Sequence, residues 1–345
     1  MPPRVPPRAC GDSADSAARQ FAPLHPYRQK LVTVSRLAME SRQYRDAERA
    51  LWNHAGVTPI EHRVHLARND VNVRVLEAGE GPPVLFIHGG PGAAGSVWAY
   101  LAAQLPQFRC LMIDRPGTGL SDPHPLNDLP AIRRECETLV ADVLDGFDID
   151  RAHVVGSSHG SYVAILSAAA CPDRVIHTVH LGCPGFVDGM HITGFDRLVL
   201  LPGVPRLFTR MPAGERSMRS TFRQLGHATA DKTGKIHQPF IEWCVALQRH
   251  TDTMRNELTS MGRMGTFRRG FDPSLTIDEA TLEHVQSPTY VLWGDHDPYG
   301  DESVARRLVA MLPKATLEMM PAAGHLCWLD DVGHAADTIH HHLLN

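Results

Sequence analysis

Residues 153–170 read HVVGSSHGSYVAILSAAA, and this stretch decides the fold. The pattern predicts a buried strand over residues 153–157 and a buried helix from residue 161. The G-x-S-x-G sequence at residues 156–160 lies at the turn between them, and a sharp turn of this kind needs small residues on both sides of its central serine. Ser158 is therefore the candidate nucleophile, because the helix N-terminus behind it supplies free N–H groups and partial positive charge.

Strand and helix patterns alternate on both sides of this turn. Period-two alternation predicts an antiparallel hairpin at residues 62–67 and 71–79. Continuous apolar runs predict further strands, most of them separated by helical segments, and repeated strand-helix-strand units indicate a parallel sheet. The sequence predicts an α/β fold with a mostly parallel eight-stranded sheet flanked by helices. The runs that predict the other strands are residues 84–90, 109–114, 153–157, 175–182, 289–294 and 315–321.

The sixth and seventh predicted strands are separated by more chain than one crossover helix needs. The content of this insertion is mostly helical in pattern, which predicts a helical cap over residues 186–275. The α/β core then comprises residues 58–185 and 276–345. Residues 1–38 are rich in Pro, Arg, Ser and Ala and are predicted to be a disordered extension, and residues 39–57 are predicted to form a packing helix.

Composition limits the partners of the chain. The 34 Lys and Arg residues against 38 Asp and Glu residues give a net charge of −4 over 345 residues, which argues against a nucleic-acid partner. No apolar run approaches the ~20 residues that a membrane-spanning helix needs, so no membrane partner is expected. The seven cysteines form no C-x-x-C pair, and no signal-peptide pattern is visible. We therefore predict a cytoplasmic protein that acts on a small-molecule substrate.

A nucleophilic serine requires a base and an acid that orients the base, and in one hydrolase arrangement they follow in the order serine, acid, histidine. Two acids, Asp295 and Asp297, follow the strand predicted at residues 289–294, and His325 follows the strand predicted at residues 315–321. Both loops come after strand carboxyl ends, the edge of a parallel sheet where sites are found. His325 is the predicted general base, and either aspartate could orient it.

These motifs resemble those of the α/β-hydrolase superfamily over most of residues 59–345. The family's W-G-x-x-D pattern falls on residues 293–297, which implies that Asp297 is the acid. Some members place the acid after the sixth strand, where this chain has no carboxylate before Asp188. The sequence HGGPG at residues 88–92 resembles the loop that completes the family's oxyanion hole. The resemblance implies that the backbone N–H groups of Gly90 and His159 are the donors.

The resemblance implies a serine hydrolase that needs no cofactor, and the sequence shows no metal-ligand spacing. Because the cap carries many apolar side chains, we expect esters or lactones of largely apolar acids as substrates, with Phe240 and Trp243 as candidate substrate-binding residues. Residues 186–269 contain eleven arginines against seven acids. This excess predicts a local field that repels a cationic substrate.

Other activities of the same superfamily stay open. The HGGPG loop also resembles that of proline iminopeptidases, although the sequence at residues 156–160 departs from their G-G-S-W-G. Carbon-carbon bond hydrolases of ring-cleavage products share the serine, histidine and aspartate. Epoxide hydrolases and haloalkane dehalogenases are disfavoured because they have an aspartate where this chain has Ser158. A non-catalytic ligand receptor on the hydrolase scaffold is the alternative from another class.

Overall fold

The computed structural model describes residues 34–126, 128–211 and 213–344. Its centre is an eight-stranded sheet whose strands are Ile60–Leu66 (β1), Val71–Ala78 (β2), Pro83–Ile87 (β3), Arg109–Asp114 (β4), Ala152–Ser157 (β5), Val175–Leu181 (β6), Thr289–Gly294 (β9) and Ala315–Met320 (β10). They lie in the order β1-β2-β4-β3-β5-β6-β9-β10. β2 is antiparallel to both β1 and β4, and the other neighbours are parallel. This confirms the predicted mostly parallel eight-stranded sheet.

The sheet is covered on both faces, which explains the continuous apolar runs of its central strands. In β3, Val84 and Phe86 pack into the core on one face, whereas Leu85 and Ile87 pack into the core on the other. All six residues of β5 are buried. The helices of the core are α2 (Ala99–Ala103), α3 (Leu129–Gly146), α4 (His159–Ala170), α11 (Glu279–Glu283), α12 (Glu302–Met311) and α13 (Val332–Leu344).

The N-terminal helix, α1, spans Val34–Ala55 and begins five residues before the predicted start at residue 39. The prediction of disorder is therefore wrong for residues 34–38, because no proline or glycine interrupts the chain between Pro26 and Gly56. Residues 1–33 of the predicted extension lie outside the described residues. Leu51 is fully buried, and α1 packs against the cap rather than standing apart from it.

The insertion between β6 and β9 is mostly helical. Its helices are α5 (Gly194–Val199), α6 (Val204–Phe208), α7 (Glu215–Phe222), α8 (Ala228–Thr233), α9 (Gln238–His250) and α10 (Thr253–Met261). A turn kinked at Gly226, Arg223–His227, joins α7 to α8. The insertion also contains a small hairpin that was not predicted, Gly265–Thr266 (β7) and Gly270–Phe271 (β8). Among the helices of the described ranges, none is both long and apolar enough to cross a membrane.

Candidate active site

Ser158 is the single residue between β5 and α4, and its backbone is strained. Its φ of 53° and ψ of −122° lie outside the regions that non-glycine residues prefer. A Cβ atom at Gly160 would lie 1.9 Å from the carbonyl oxygen of Ile87, and one at Gly156 would lie 2.7 Å from the carbonyl oxygen of Gly160. Both flanking positions therefore accept only glycine, which is the physical basis of the G-x-S-x-G sequence.

His325 and Asp297 form a buried hydrogen-bonded pair. His325 Nδ1 lies 2.8 Å from Asp297 Oδ2, and the two residues are 4% and 6% exposed. The carboxylate also accepts hydrogen bonds from the backbone N–H groups of Cys183 at 2.8 Å and Tyr299 at 2.9 Å. An ionised carboxylate only accepts hydrogen bonds, so Nδ1 carries the ring proton and the Nε2 lone pair is left available. His325 and Ser158 line the same pocket.

The two other candidate acids lie elsewhere. The Asp295 side chain is 43% exposed, and its Oδ1 lies 3.9 Å from Nε2 of His296. The Asp188 side chain is 69% exposed and lies 3.8 Å from Arg307. The structure therefore brings Asp297 to the histidine and leaves both competitors at the surface.

The loop after β3 reaches the nucleophile. A Cβ atom at Gly89 would lie 2.9 Å from the Cβ atom of Ser158, so the backbone approaches the serine as closely as a glycine allows. Gly90 and His159 both line the pocket, and the N–H of His159 is in the first turn of α4, where N–H groups have no partner within the helix. Desolvation lowers the pKa of His159 to about 3, so its ring is neutral at pH 7.

Glu257, on α10 of the cap, attaches the cap to this loop. Its Oε1 accepts a hydrogen bond from Arg115, and its Oε2 accepts one from the N–H of Gly92 at 2.8 Å. Arg115 donates in turn to the carbonyl oxygens of His88 at 3.0 Å and Gly89 at 2.9 Å. Burial raises the pKa of Glu257, although Arg115 opposes this effect. Sequence reasoning missed Glu257, because 142 residues separate it from Arg115 and no local pattern links them.

Apolar side chains from the core and the cap make up much of the pocket wall. Phe240 and Trp243 are not among them, so the expectation that they bind substrate is wrong. They are 1% and 0% exposed because the apolar face of α9 packs towards α1, where Trp243 Nε1 donates to the hydroxyl of Tyr44 at 3.4 Å. The apolar lining consists of Leu126, Ile132, Phe186, Met190, Met261, Met264 and Phe271.

Three carboxylates also line the pocket: Glu135, Asp196 and Glu257. Burial raises the pKa of Glu135 to about 7, and its Oε2 lies 3.4 Å from Nε2 of His124. Asp196 accepts hydrogen bonds from the backbone N–H of Thr193 at 2.9 Å and from its hydroxyl at 2.7 Å. Two of the seven acids of the cap therefore converge on the pocket, which the net charge of the cap does not reveal.

Arg115 is the one arginine or lysine among the residues that line the pocket. Across the described ranges, no three His, Cys, Asp or Glu side chains are grouped so that they could hold a metal ion.

Comparison with known proteins identifies the class. The profile of the alpha/beta hydrolase fold family matches residues 82–332, so the chain belongs to this family. The matched residues include the strands from β3 onwards, the cap and the two loops that carry Asp297 and His325.

Similar proteins have different activities. The chain is 28% identical over 257 residues to a 2-hydroxy-6-oxononadienedioate/2-hydroxy-6-oxononatrienedioate hydrolase of Cupriavidus pinatubonensis, a match that covers 70% of this chain and 80% of that protein. The naproxen esterase of Bacillus subtilis has a TM-score of 0.67 at 17% identity and covers 91% of this chain and 100% of its own. The 2-hydroxy-6-oxo-6-phenylhexa-2,4-dienoate hydrolase of Rhodococcus sp. strain RHA1 has a TM-score of 0.66 at 19% identity, covering 84% and 100%. These two structural likenesses show the fold.

Proposed function

We propose that this protein is a cofactor-free serine hydrolase that cleaves carboxylic esters or lactones through an acyl-enzyme on Ser158. The observation that supports this proposal most is the buried 2.8 Å bond between His325 and Asp297, in the same pocket as a serine on a strained strand-to-helix turn. A nucleophile, a base and an acid that orients the base are the three groups that acyl transfer needs.

In this proposal, Ser158 Oγ attacks the ester carbonyl while His325 Nε2 takes the hydroxyl proton. Asp297 holds the Nδ1–H tautomer and stabilises the imidazolium that forms. The N–H groups of Gly90 and His159 donate to the carbonyl oxygen as it becomes negative. The tetrahedral intermediate then expels the alcohol, which receives the proton from His325. Water, deprotonated by His325, releases the acid and restores Ser158.

The charges around the pocket favour neutral substrates. Arg115 is already bonded to Glu257 and to two backbone carbonyls, so it has little capacity to bind a substrate carboxylate. Glu135 and Asp196 would repel such a group further when they are ionised. The apolar part of the wall provides a surface for an uncharged acyl chain.

Carbon-carbon bond hydrolysis is the second candidate function. The observation that favours it is the 28% identity with the Cupriavidus pinatubonensis hydrolase, which is named for dicarboxylate substrates. The same serine, histidine and aspartate could serve that reaction. The ion pair between Arg115 and Glu257 argues against it, because a dicarboxylate would need cations that have no other partner.

The test combines covalent labelling with a substrate panel. A fluorophosphonate probe should label wild-type protein at Ser158, and Ser158→Ala should abolish both labelling and hydrolysis of p-nitrophenyl butyrate. Ser157→Ala is the matched control, since the Ser157 hydroxyl is buried, has no hydrogen-bond partner among the described residues and should be dispensable. Faster turnover of 2-hydroxy-6-oxo-6-phenylhexa-2,4-dienoate than of any ester would establish the second candidate. Absence of labelling in the wild type would overturn the proposal and favour the ligand receptor.

A further inference from the structure

The kinked turn of the cap, Arg223–His227, is hydrogen-bonded to the loop that carries His325. The N–H of His325 donates to the carbonyl oxygen of Leu225 at 2.8 Å, and the N–H of Leu326 donates to Nε2 of His227 at 3.1 Å. Two consecutive backbone N–H groups of the loop are therefore held by the cap and not by the core.

His227 is also bonded to the far end of the same loop. Its Nδ1 lies 2.7 Å from Oδ2 of Asp330, and this oxygen also accepts the N–H of Gly324 at 2.9 Å. Because Nε2 accepts from a backbone N–H, the ring proton must be on Nδ1, where it is donated to Asp330. His227 is 0% exposed, so water does not compete for these bonds. The His227 imidazole is therefore linked to both neighbours of His325: directly to Leu326, and through Asp330 to Gly324.

The fit between the two segments leaves little room for movement. A Cβ atom at Gly226 would lie 2.4 Å from the carbonyl oxygen of His296 and 2.8 Å from the Cα atom of Gly324. A Cβ atom at Gly324 would lie 2.4 Å from the carbonyl oxygen of Leu225. Gly226 has a φ of 94°, which glycine adopts without strain, and this conformation brings the turn into contact with the loop.

We propose that His227 is a positioning residue for the base, His325. Asp297 fixes the imidazole of His325 through Nδ1, but the ring can meet Ser158 only if the backbone at residues 324–326 is also fixed. His227 fixes that backbone through Leu326 and, by way of Asp330, through Gly324. The inference rests on the proposed function, since it assigns His227 a role in presenting the base of that reaction. It also implies that this part of the cap stays on the core during turnover.

The test replaces His227 in three ways. His227→Phe keeps the ring and removes both bonds. His227→Gln places an acceptor near the Nε2 position and can retain the bond to Leu326, whereas His227→Asn places a donor near the Nδ1 position and can retain the bond to Asp330. His153→Phe is the matched control, because His153 is also a buried histidine but lies at the opposite end of β5 from Ser158. All measurements are made well below each variant's melting temperature.

We expect His227→Phe to lower kcat for p-nitrophenyl butyrate, and the rate of fluorophosphonate labelling, by about 100-fold, with KM changed by less than about threefold. Both conservative variants should recover part of the loss, and His153→Phe should keep wild-type rates. A structural role alone would lower the melting temperature and leave the rates of the folded protein unchanged. Wild-type rates in folded His227→Phe would overturn the inference.

A second readout separates this inference from the proposed function. The proton of the bond between His325 Nδ1 and Asp297 gives a low-field NMR signal whether or not an ester is turned over. If wild-type protein is not labelled at Ser158, the proposed function fails, and the signal alone decides the inference. Its loss or broadening in His227→Phe, but not in His153→Phe, supports the positioning role, and an unchanged signal overturns it.

Discussion

Glu257 on the cap and Arg115 on the core form an ion pair beside the proposed oxyanion loop, with side chains 11% and 9% exposed. Glu257 also accepts the N–H of Gly92, and Arg115 donates to the carbonyl oxygens of His88 and Gly89. The loop is therefore held from the cap on one side and from the core on the other. The cap contributes to the geometry of the site as well as to its wall.

Removal of this carboxylate should lower the turnover number. Glu257→Ala breaks the bond to Gly92 and leaves Arg115 without its carboxylate partner, so the loop should lose its fixed position. We expect kcat for p-nitrophenyl butyrate to fall by about 10- to 100-fold, because small displacements of reacting groups have effects of this size. Glu257→Gln should lose less, since its amide oxygen can still accept from Gly92. Glu242→Ala, at an exposed position of α9, is the control. Equal kcat values for Glu257→Ala and wild type would show that the conformation of the loop does not depend on Glu257.

The N-terminal helix should contribute strongly to stability through one buried ion pair. Glu48 Oε2 lies 2.5 Å from Nη2 of Arg74, whose side chain is 2% exposed and also meets Asp114 and Glu61. Loss of one partner removes part of the negative charge that compensates the buried guanidinium of Arg74. Glu48→Ala should therefore lower the free energy of unfolding in urea by about 3 kcal/mol, the lower end of the usual range, because two partners of Arg74 remain. Asp46→Ala, with a 57% exposed side chain, should change it by less than about 0.5 kcal/mol. Similar values for both variants would mean that α1 is an accessory element.

Much of the fold could be predicted because its signals are local. The runs that form β4 and β9, and the turn at Ser158, each depend on residues adjacent in the chain. His325 and Asp297 could also be predicted, since parallel strands bring the loops after their carboxyl ends together. Contacts between the cap and the core carry no such signal. The pairing of Glu257 with Arg115 depends on how separate helices pack, and a sequence pattern contains no information on that packing.

Phe240 and Trp243 illustrate the same limit. The apolar face of α9 is evident in the sequence, but the pattern does not tell whether that face meets the pocket or α1. The structure places it against α1, where Tyr44 and Trp243 share a hydrogen bond. The missed turn at Arg223–His227 has the same cause, since it is held by hydrogen bonds to His325 and Leu326, about 100 residues further along the chain.

Acidification should destabilise the protein well above the pH at which carboxylates titrate. Burial lowers the pKa of His153 to about 4 and that of His180 to about 3. In the unfolded chain these rings titrate near pH 6.5, so the unfolded state binds more protons below that pH. Glu135, whose pKa is raised to about 7, opposes this change, but it is outweighed because His159, with a pKa lowered to about 3, acts in the same direction as His153 and His180. The free energy of unfolding should therefore fall as the pH decreases from 6.5 towards 4. Urea unfolding at pH 7.5, 6, 5 and 4.5 measures this. A flat profile down to pH 5 would contradict the assigned shifts.

The choice of acid can be tested by a matched pair of amides. Asp297→Asn keeps the shape of the side chain but favours the wrong tautomer of His325, and kcat should fall by about 10⁴, as the equivalent change does in serine proteases. Asp295→Asn should stay within about twofold of wild type, because that side chain is 43% exposed and does not contact the base. Comparable losses in the two variants would require a shared role for both aspartates.

The ionisation of Glu135 should determine whether the pocket accepts an anionic substrate. Its carboxyl group lines the pocket with a pKa raised to about 7 by burial, so it is largely neutral at pH 6 and largely ionised at pH 8. The ionised form repels an anionic acyl group and attracts a cationic one. For wild type, kcat/KM for p-nitrophenyl hydrogen succinate, relative to p-nitrophenyl butyrate, should therefore fall between pH 6 and pH 8. Glu135→Gln should remove this pH dependence and raise the relative value at pH 8 by about tenfold, which corresponds to about 1.4 kcal/mol.

Glu137→Gln, on the same helix and in an ion pair with Arg133, is the control and should keep the wild-type pH dependence. Proline β-naphthylamide, whose amine is cationic, completes the panel, because Glu135, Asp196 and Glu257 all line the pocket. Under the proposed function it should be a far poorer substrate than the neutral ester at either pH, since Glu257 is paired with Arg115 and Asp196 is bonded to Thr193. If the amide is instead the best of the three substrates and Glu135→Gln abolishes its turnover, these carboxylates bind an amine, and an aminopeptidase assignment replaces the esterase.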